Sequence, residues 1–176
     1  RRVLDVAREA HLSEFDATRI LYHLAEAGYL EAADAPAAAP ASPRDRLVAV
    51  AEGMNGVLAE VHAAAAAHGG AEPFLAGVRA YLADASTRFA PLWKMALPGA
   101  DGGLDPDRLL GNLSALKGAA LRRLEPSGDP ARFLHDGLRE LAFFYLFLAG
   151  ERLPREADDA LGERVKRRFL ALEGLR

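Results

Sequence analysis

After residue 43, apolar residues recur at steps of three and four. Leu47, Val50, Met54, Val57, Val61 and Ala64 form one series, and Leu109, Leu113, Leu116, Ala120 and Leu124 form a second. Leu161, Val165, Phe169 and Leu172 form another. This is the helical period, and it puts each series on one face of a helix. The segment from Phe133 to Leu148 is apolar almost all round, which predicts a helix surrounded by the others. No stretch alternates long enough to suggest a sheet, and no internal repeat is visible. The pattern predicts an all-α chain with five helices, at about 44–68, 73–90, 106–124, 130–151 and 154–173, packed as an antiparallel bundle.

The boundaries rest on proline and glycine. Ser42-Pro43, Asp105-Pro106 and Asp129-Pro130 each place a capping side chain before a proline at the first helical position. Proline loses nothing there, because that N–H has no partner within the helix. Glu72-Pro73 and Leu153-Pro154 are weaker starts of the same kind. Gly69-Gly70, Gly102-Gly103 and Gly128 supply stops and turns. Ahead of the bundle, ADAPAAAPASP (33–43) cannot build a core and reads as an extended linker. The chain thus divides into a small module at 1–32, a linker at 33–43 and a helical bundle at 44–176.

The small module reads as a helix-turn-helix of the winged-helix kind. Val3 to Ala10 is a short helix, Leu12 fills the turn, and Ser13 caps a second helix with Asp16 three residues on. Phe15, Ile20, Leu21, Leu24 and Ala27 make its inner face, Gly28 ends it, and Tyr29-Leu30-Glu31 is a short strand. In such domains the second helix enters the major groove. Here its early exposed positions offer Glu14, Asp16, Ala17 and Thr18, with only Arg19 cationic. Residues 1–42 hold four arginines against seven acids, a net of −3, while the rest of the chain is balanced. A segment of that charge repels phosphates and releases no counterions on binding them. No strand returns after Glu31 to form a wing. Duplex DNA is therefore not expected as a partner. If the segment did bind it, Thr18, Arg19 and His23 would be the contacts. Anisotropy titration at physiological salt should show no saturable binding, and sub-micromolar binding with a steep salt slope would contradict this.

RRVLDVAREAHLSEFDATRILYHLAEAGYLE resembles the segment that follows the N-terminal domain of PATAN-type bacterial signalling proteins. The resemblance is carried by Val3-Leu4-Asp5-Val6-Ala7, by Leu12-Ser13-Glu14-Phe15 and by Leu21-Tyr22-His23-Leu24 leading into Ala27-Gly28-Tyr29-Leu30-Glu31. It covers residues 1–32 and implies a cytoplasmic, non-catalytic role in signalling or scaffolding. It also implies that the family's main domain precedes residue 1. The opening Arg-Arg-Val-Leu-Asp, with no methionine, fits a piece of a longer protein.

Composition narrows the chemistry. The chain has 176 residues and no cysteine, which excludes disulfides, thiolate metal sites and cysteine nucleophiles. LAFFYLFLAG (141–150) is too short to span a membrane and is bracketed by charges. The five histidines form no HExxH or Glu-x-x-His motif, and His135-Asp136 with Glu140 reads as a solvated polar face. In LPGADGGLDPD (97–107) the acids miss the calcium-loop spacing, leaving a turn followed by a cap. Arg164, Lys166, Arg167 and Arg168 lie close to Asp158, Asp159 and Glu163 and suit a helix C-terminus. No Gly-x-Ser-x-Gly or P-loop is present. No catalytic residue, cofactor or metal is expected.

One cluster goes beyond ordinary packing. Phe89, Leu92, Trp93, Met95 and Leu97 lie around Pro91 and Pro98, where the second helix should end. They would plug the end of the bundle or line a ligand pocket with Phe143, Phe144 and Tyr145, and the plug is favoured. Phe89, Trp93, Met95, Phe143 and Tyr145 are accordingly the candidate partner or ligand surface. The resulting expectation is a cytoplasmic, non-enzymatic interaction or scaffolding module that binds a protein or a second copy of itself. The alternative is a transcriptional regulator whose first module binds DNA while its bundle dimerises or senses an apolar ligand.

Overall fold

The computed structural model describes residues 42–172 together with Ile20. The chain divides into two units, Arg1–Ala39 and Pro40–Arg176, and the second is described by itself. The helix-turn-helix expected at 1–32, with Thr18, Arg19 and His23, and the linker up to residue 41 lie outside the described residues. Ile20 is the exception. It is helical and 44% exposed.

The described residues are all-α, with seven helices and no strand. They are α1 (Pro43–Ala67), α2 (Ala71–Ala83), α3 (Ala90–Trp93), α4 (Pro106–Ala115), α5 (Ala119–Leu124), α6 (Pro130–Gly150) and α7 (Arg155–Leu172). Three starts follow the expected capping chemistry. The Ser42 hydroxyl accepts from Asp45 N at 3.1 Å, Asp105 from Asp107 N at 2.9 Å and Asp129 from Ala131 N at 2.8 Å. Each is followed by proline at the first helical position.

Two of the five expected helices differ from the pattern. The helix expected over 73–90 stops at Ala83, because the Asp84 carboxylate accepts the Ser86 N–H at 2.8 Å and turns the chain. The helix expected over 106–124 breaks into α4 and α5. Gly118 sits at φ 54°, ψ −116°, which a glycine adopts freely and other residues do not. The break shifts the helical phase, so that Leu121 is buried and Ala120 is exposed.

The largest helix pair, α1 with α6, runs parallel, not antiparallel. Arg46 reaches Asp129 at their N-terminal ends, 3.7 Å apart. At the far ends Gly70, just past α1, lies against Arg152, just past α6. The intervening α2–α5 segment makes this possible by carrying the chain back to the starting end. α2 and α7 then run antiparallel to the pair, with Tyr81 and Gly77 of α2 against Glu140 and Leu148 of α6. The core between them holds Met54, Val57, Leu58 and Val61 of α1, Phe74 and Val78 of α2, and Leu134, Leu138, Leu141 and Tyr145 of α6.

α7 is tied to α1 by charge as well as by Leu161 and Val165. Arg164 donates to the Glu60 carboxylate at 2.8 Å, and Arg168 donates to its other oxygen. Half of the C-terminal basic cluster thus serves an interhelical clamp, while Lys166 stays beside Glu163 at 3.8 Å. Burial would raise the Glu60 pKa, but hydrogen bonds and charge from the two guanidiniums outweigh it and hold the carboxyl below its ordinary 4.5. A folded-state pKa below the unfolded one stabilises the fold above the unfolded value, and that contribution is lost as pH falls through the folded value. Glu60→Gln should therefore lower the urea midpoint at neutral pH, and its gap from wild type should narrow as pH falls below 4.5, the carboxyl's ordinary value. A gap that stays constant on acidification would contradict the clamp.

Candidate functional site

α6 has two sides. Phe133, Leu134, Leu138, Leu141, Tyr145 and Leu148 face the core, as the helical period requires. The other side is covered by neighbouring helices over only part of its length. Arg139 and Glu140 are exposed, Phe143 is 50% exposed and Phe147 is 63% exposed. A helix expected to be enclosed therefore carries an outer stripe of two aromatic rings.

Neighbouring elements extend this stripe. On the α2 side, Phe144 stacks on Tyr81 with centroids 4.3 Å apart, and the Tyr81 hydroxyl donates to Glu140 at 2.7 Å. Burial, then the Glu140 carboxylate that accepts its proton, push the Tyr81 phenol well above its ordinary pKa, so it remains a donor at any physiological pH. On the α7 side, Phe143 meets Phe169 at 5.7 Å, and Leu170 beside it is 59% exposed. The Arg139 guanidinium lies 5.5 Å from the centre of the Phe143 ring, within cation–π range.

The residues expected to form one surface are divided. Tyr145 is fully buried: its ring meets Phe74 edge-on at 5.1 Å, and its hydroxyl donates to the Gly102 carbonyl at 2.7 Å. Phe89 is buried against Phe133 at 5.1 Å. Trp93 is buried too, and the Asn112 amide pins the adjoining turn by donating to the Leu92 and Lys94 carbonyls, each at 2.8 Å. Phe89, Leu92 and Trp93 thus belong to the hydrophobic core. Met95 and Leu97 instead stand out from it, 74% and 60% exposed, and Met95 holds a left-handed backbone at φ 59°. With Leu82, Pro91 and Trp93 they border a cleft of about 410 Å³ at the end of α2. Phe143, Phe144 and Tyr145 do not line it, so the pocket that would have joined them to Trp93 does not form. The helical phase explains the separation, because Phe143 and Phe144 turn toward α7 and α2 while Tyr145 turns inward.

The other candidate chemistry resolves into structure. The polar face expected to be solvated is not: His135 is buried with Nδ1 3.3 Å from Asp136, which also faces Arg132 and Arg88, while Glu140 is taken by Tyr81. No group of three or more potential metal ligands gathers among the described residues. No helix among them is long and apolar enough to cross a membrane. The loop at 97–107 forms a turn closed by Gly99 N donating to the Gly103 carbonyl at 2.8 Å, followed by the Asp105 cap.

Phe147, Tyr81 and Leu170 were not singled out from the sequence. A signal for the first existed: Arg139 and Glu151 lie four residues before Phe143 and four after Phe147, marking a side of the helix that tolerates charge. No protein-family model, curated protein or solved structure matches this chain.

Proposed function

We propose that the chain is a non-enzymatic protein-interaction module of a bacterial signalling or regulatory protein, and that it docks through the outer face of α6. The observation that carries this reading is the exposure of Phe143 and Phe147 on the same helix that supplies the centre of the core. Exposed aromatic rings contribute nothing to the fold where they meet water, whereas aromatic residues anchor protein interfaces. Phe143 is backed by Phe169 and Arg139, and Phe144 by Tyr81, so the surface is held in shape before a partner arrives. The resemblance of residues 1–32 to PATAN-type proteins supports the signalling context and a cytoplasmic location.

A photo-crosslinking phenylalanine analogue at position 147 of the full-length protein, activated in cells, tests the reading. Discrete protein adducts are expected at 147, and none when the probe replaces Gly111, exposed on α4, which contributes no residue to this stripe. Equal labelling at the two positions would overturn it.

A further inference from the structure

We propose that the partner of the α6 outer face is the same face of a second copy of this chain, laid antiparallel. This rests on reading that face as a docking surface. The argument is one of spacing. Phe143 and Phe147 lie two residues either side of Tyr145, and Arg139 and Glu151 lie six residues either side of it. An antiparallel pair centred at that level sets Phe143 of one copy against Phe147 of the other. Arg139 of one copy then meets Glu151 of the other, and the two-fold axis repeats both contacts. Laid parallel, the same face would oppose Arg139 to Arg139 and Glu151 to Glu151.

The four residues form one i±4 row. Two such rows interdigitate at the common helix crossing near −50°, which aligns them along their length. Within its own chain Arg139 has a ring contact with Phe143 and no ion-pair partner among the described residues. Among the described residues Glu151 pairs with its neighbour Arg152, at 3.6 Å, through side chains that are 53% and 27% exposed. Such an exposed pair contributes little and is readily exchanged. Both charges are therefore available at the two ends of the aromatic contact.

The size of the surface sets the strength. Phe143 and Phe147 offer roughly 200–300 Å² between them, against the ~800 Å² per partner of a standard interface. Arg139, Glu151 and the surrounding stripe enlarge the contact, but it remains in the small, transient class. A dissociation constant of roughly 10–100 μM is expected.

Sedimentation equilibrium of the full chain from about 1 to 500 μM, a range spanning that constant, tests it. Wild type should show a monomer–dimer equilibrium. Arg139→Glu or Glu151→Arg alone should weaken it about tenfold, since each replaces two attractions by two repulsions. Mixing the two single variants should restore association, because both contacts in the mixed pair are again between opposite charges. The Arg139→Glu/Glu151→Arg chain should likewise recover wild-type behaviour. All four residues are exposed, so the variants keep their fold. A wild-type chain that stays monomeric throughout would overturn the proposal, as would a mixture no stronger than its components. If the chain is monomeric while the probe at position 147 still captures a different protein, self-pairing fails and the docking surface stands. Absence of both would remove the docking reading as well.

Discussion

Phe74→Ala is expected to lower the unfolding free energy by about 3–5 kcal/mol, the range for truncating a buried phenylalanine. The ring is fully buried where three helices meet: α2 supplies it, Tyr145 of α6 meets it edge-on at 5.1 Å and His62 of α1 lies 5.7 Å away. Its loss removes contacts to both members of the central pair and leaves a cavity that neither can close without moving the other. This is a large part of the ~5–15 kcal/mol that holds a typical domain together. Phe144→Ala provides the contrast. Its ring is half-buried on the outer side, stacked on Tyr81, and about 1–2 kcal/mol is expected. Urea melts would separate the two, and equal losses would contradict the placement of the core.

Gly102→Ala should cost about 2–5 kcal/mol, although it adds a single methyl group. Gly102 holds φ +82°, and a Cβ there would fall 2.4 Å from the Cβ of His62, far inside contact distance. Neither atom is the flexible end of a side chain, so α1 and the 97–107 loop would have to separate. The same residue's carbonyl accepts the buried Tyr145 hydroxyl at 2.7 Å, and a shift of the loop would strand that donor. Two effects therefore fall on one position. Gly111→Ala is the control, since nothing lies within 4 Å of its Cβ position and it sits in α4. There the change should be neutral or stabilising. A Gly102→Ala midpoint matching that of Gly111→Ala would mean that the loop is not seated on α1.

Local chemistry was legible in the sequence and long-range arrangement was not. Ser42, Asp105 and Asp129 cap helices as their proline neighbours indicate, and Val50, Met54, Val57 and Val61 are buried as their spacing requires. Gly118 was invisible as a break, because Leu116, Ala120 and Leu124 continue the helical period straight through it. Only its backbone conformation exchanges Ala120 for Leu121 in the core. The parallel setting of α1 and α6 depends on how the α2–α5 segment returns, which no local pattern encodes.

The candidate surface was half legible for a related reason. An apolar residue reads the same whether it faces a core or a partner, so Phe143 and Tyr145 were indistinguishable by type. The structure separates them, leaving the first 50% exposed and the second fully buried. Met95 and Trp93 divide in the same way: the tryptophan is buried and the methionine is 74% exposed.

If the outer face of α6 serves binding and not folding, its rings can be replaced at little cost to stability. The most direct measurement is the urea midpoint of Phe143→Lys/Phe147→Lys, taken well below the concentration at which chains would pair. Lysine keeps helix propensity and is favoured near a helix C-terminus, so the loss of the two rings is the main change. A stability within about 1 kcal/mol of wild type is expected, as for exposed positions. A loss of about 3 kcal/mol or more, in the range of the buried Phe74 truncation, would show that these rings are core, and the docking surface would be lost with them.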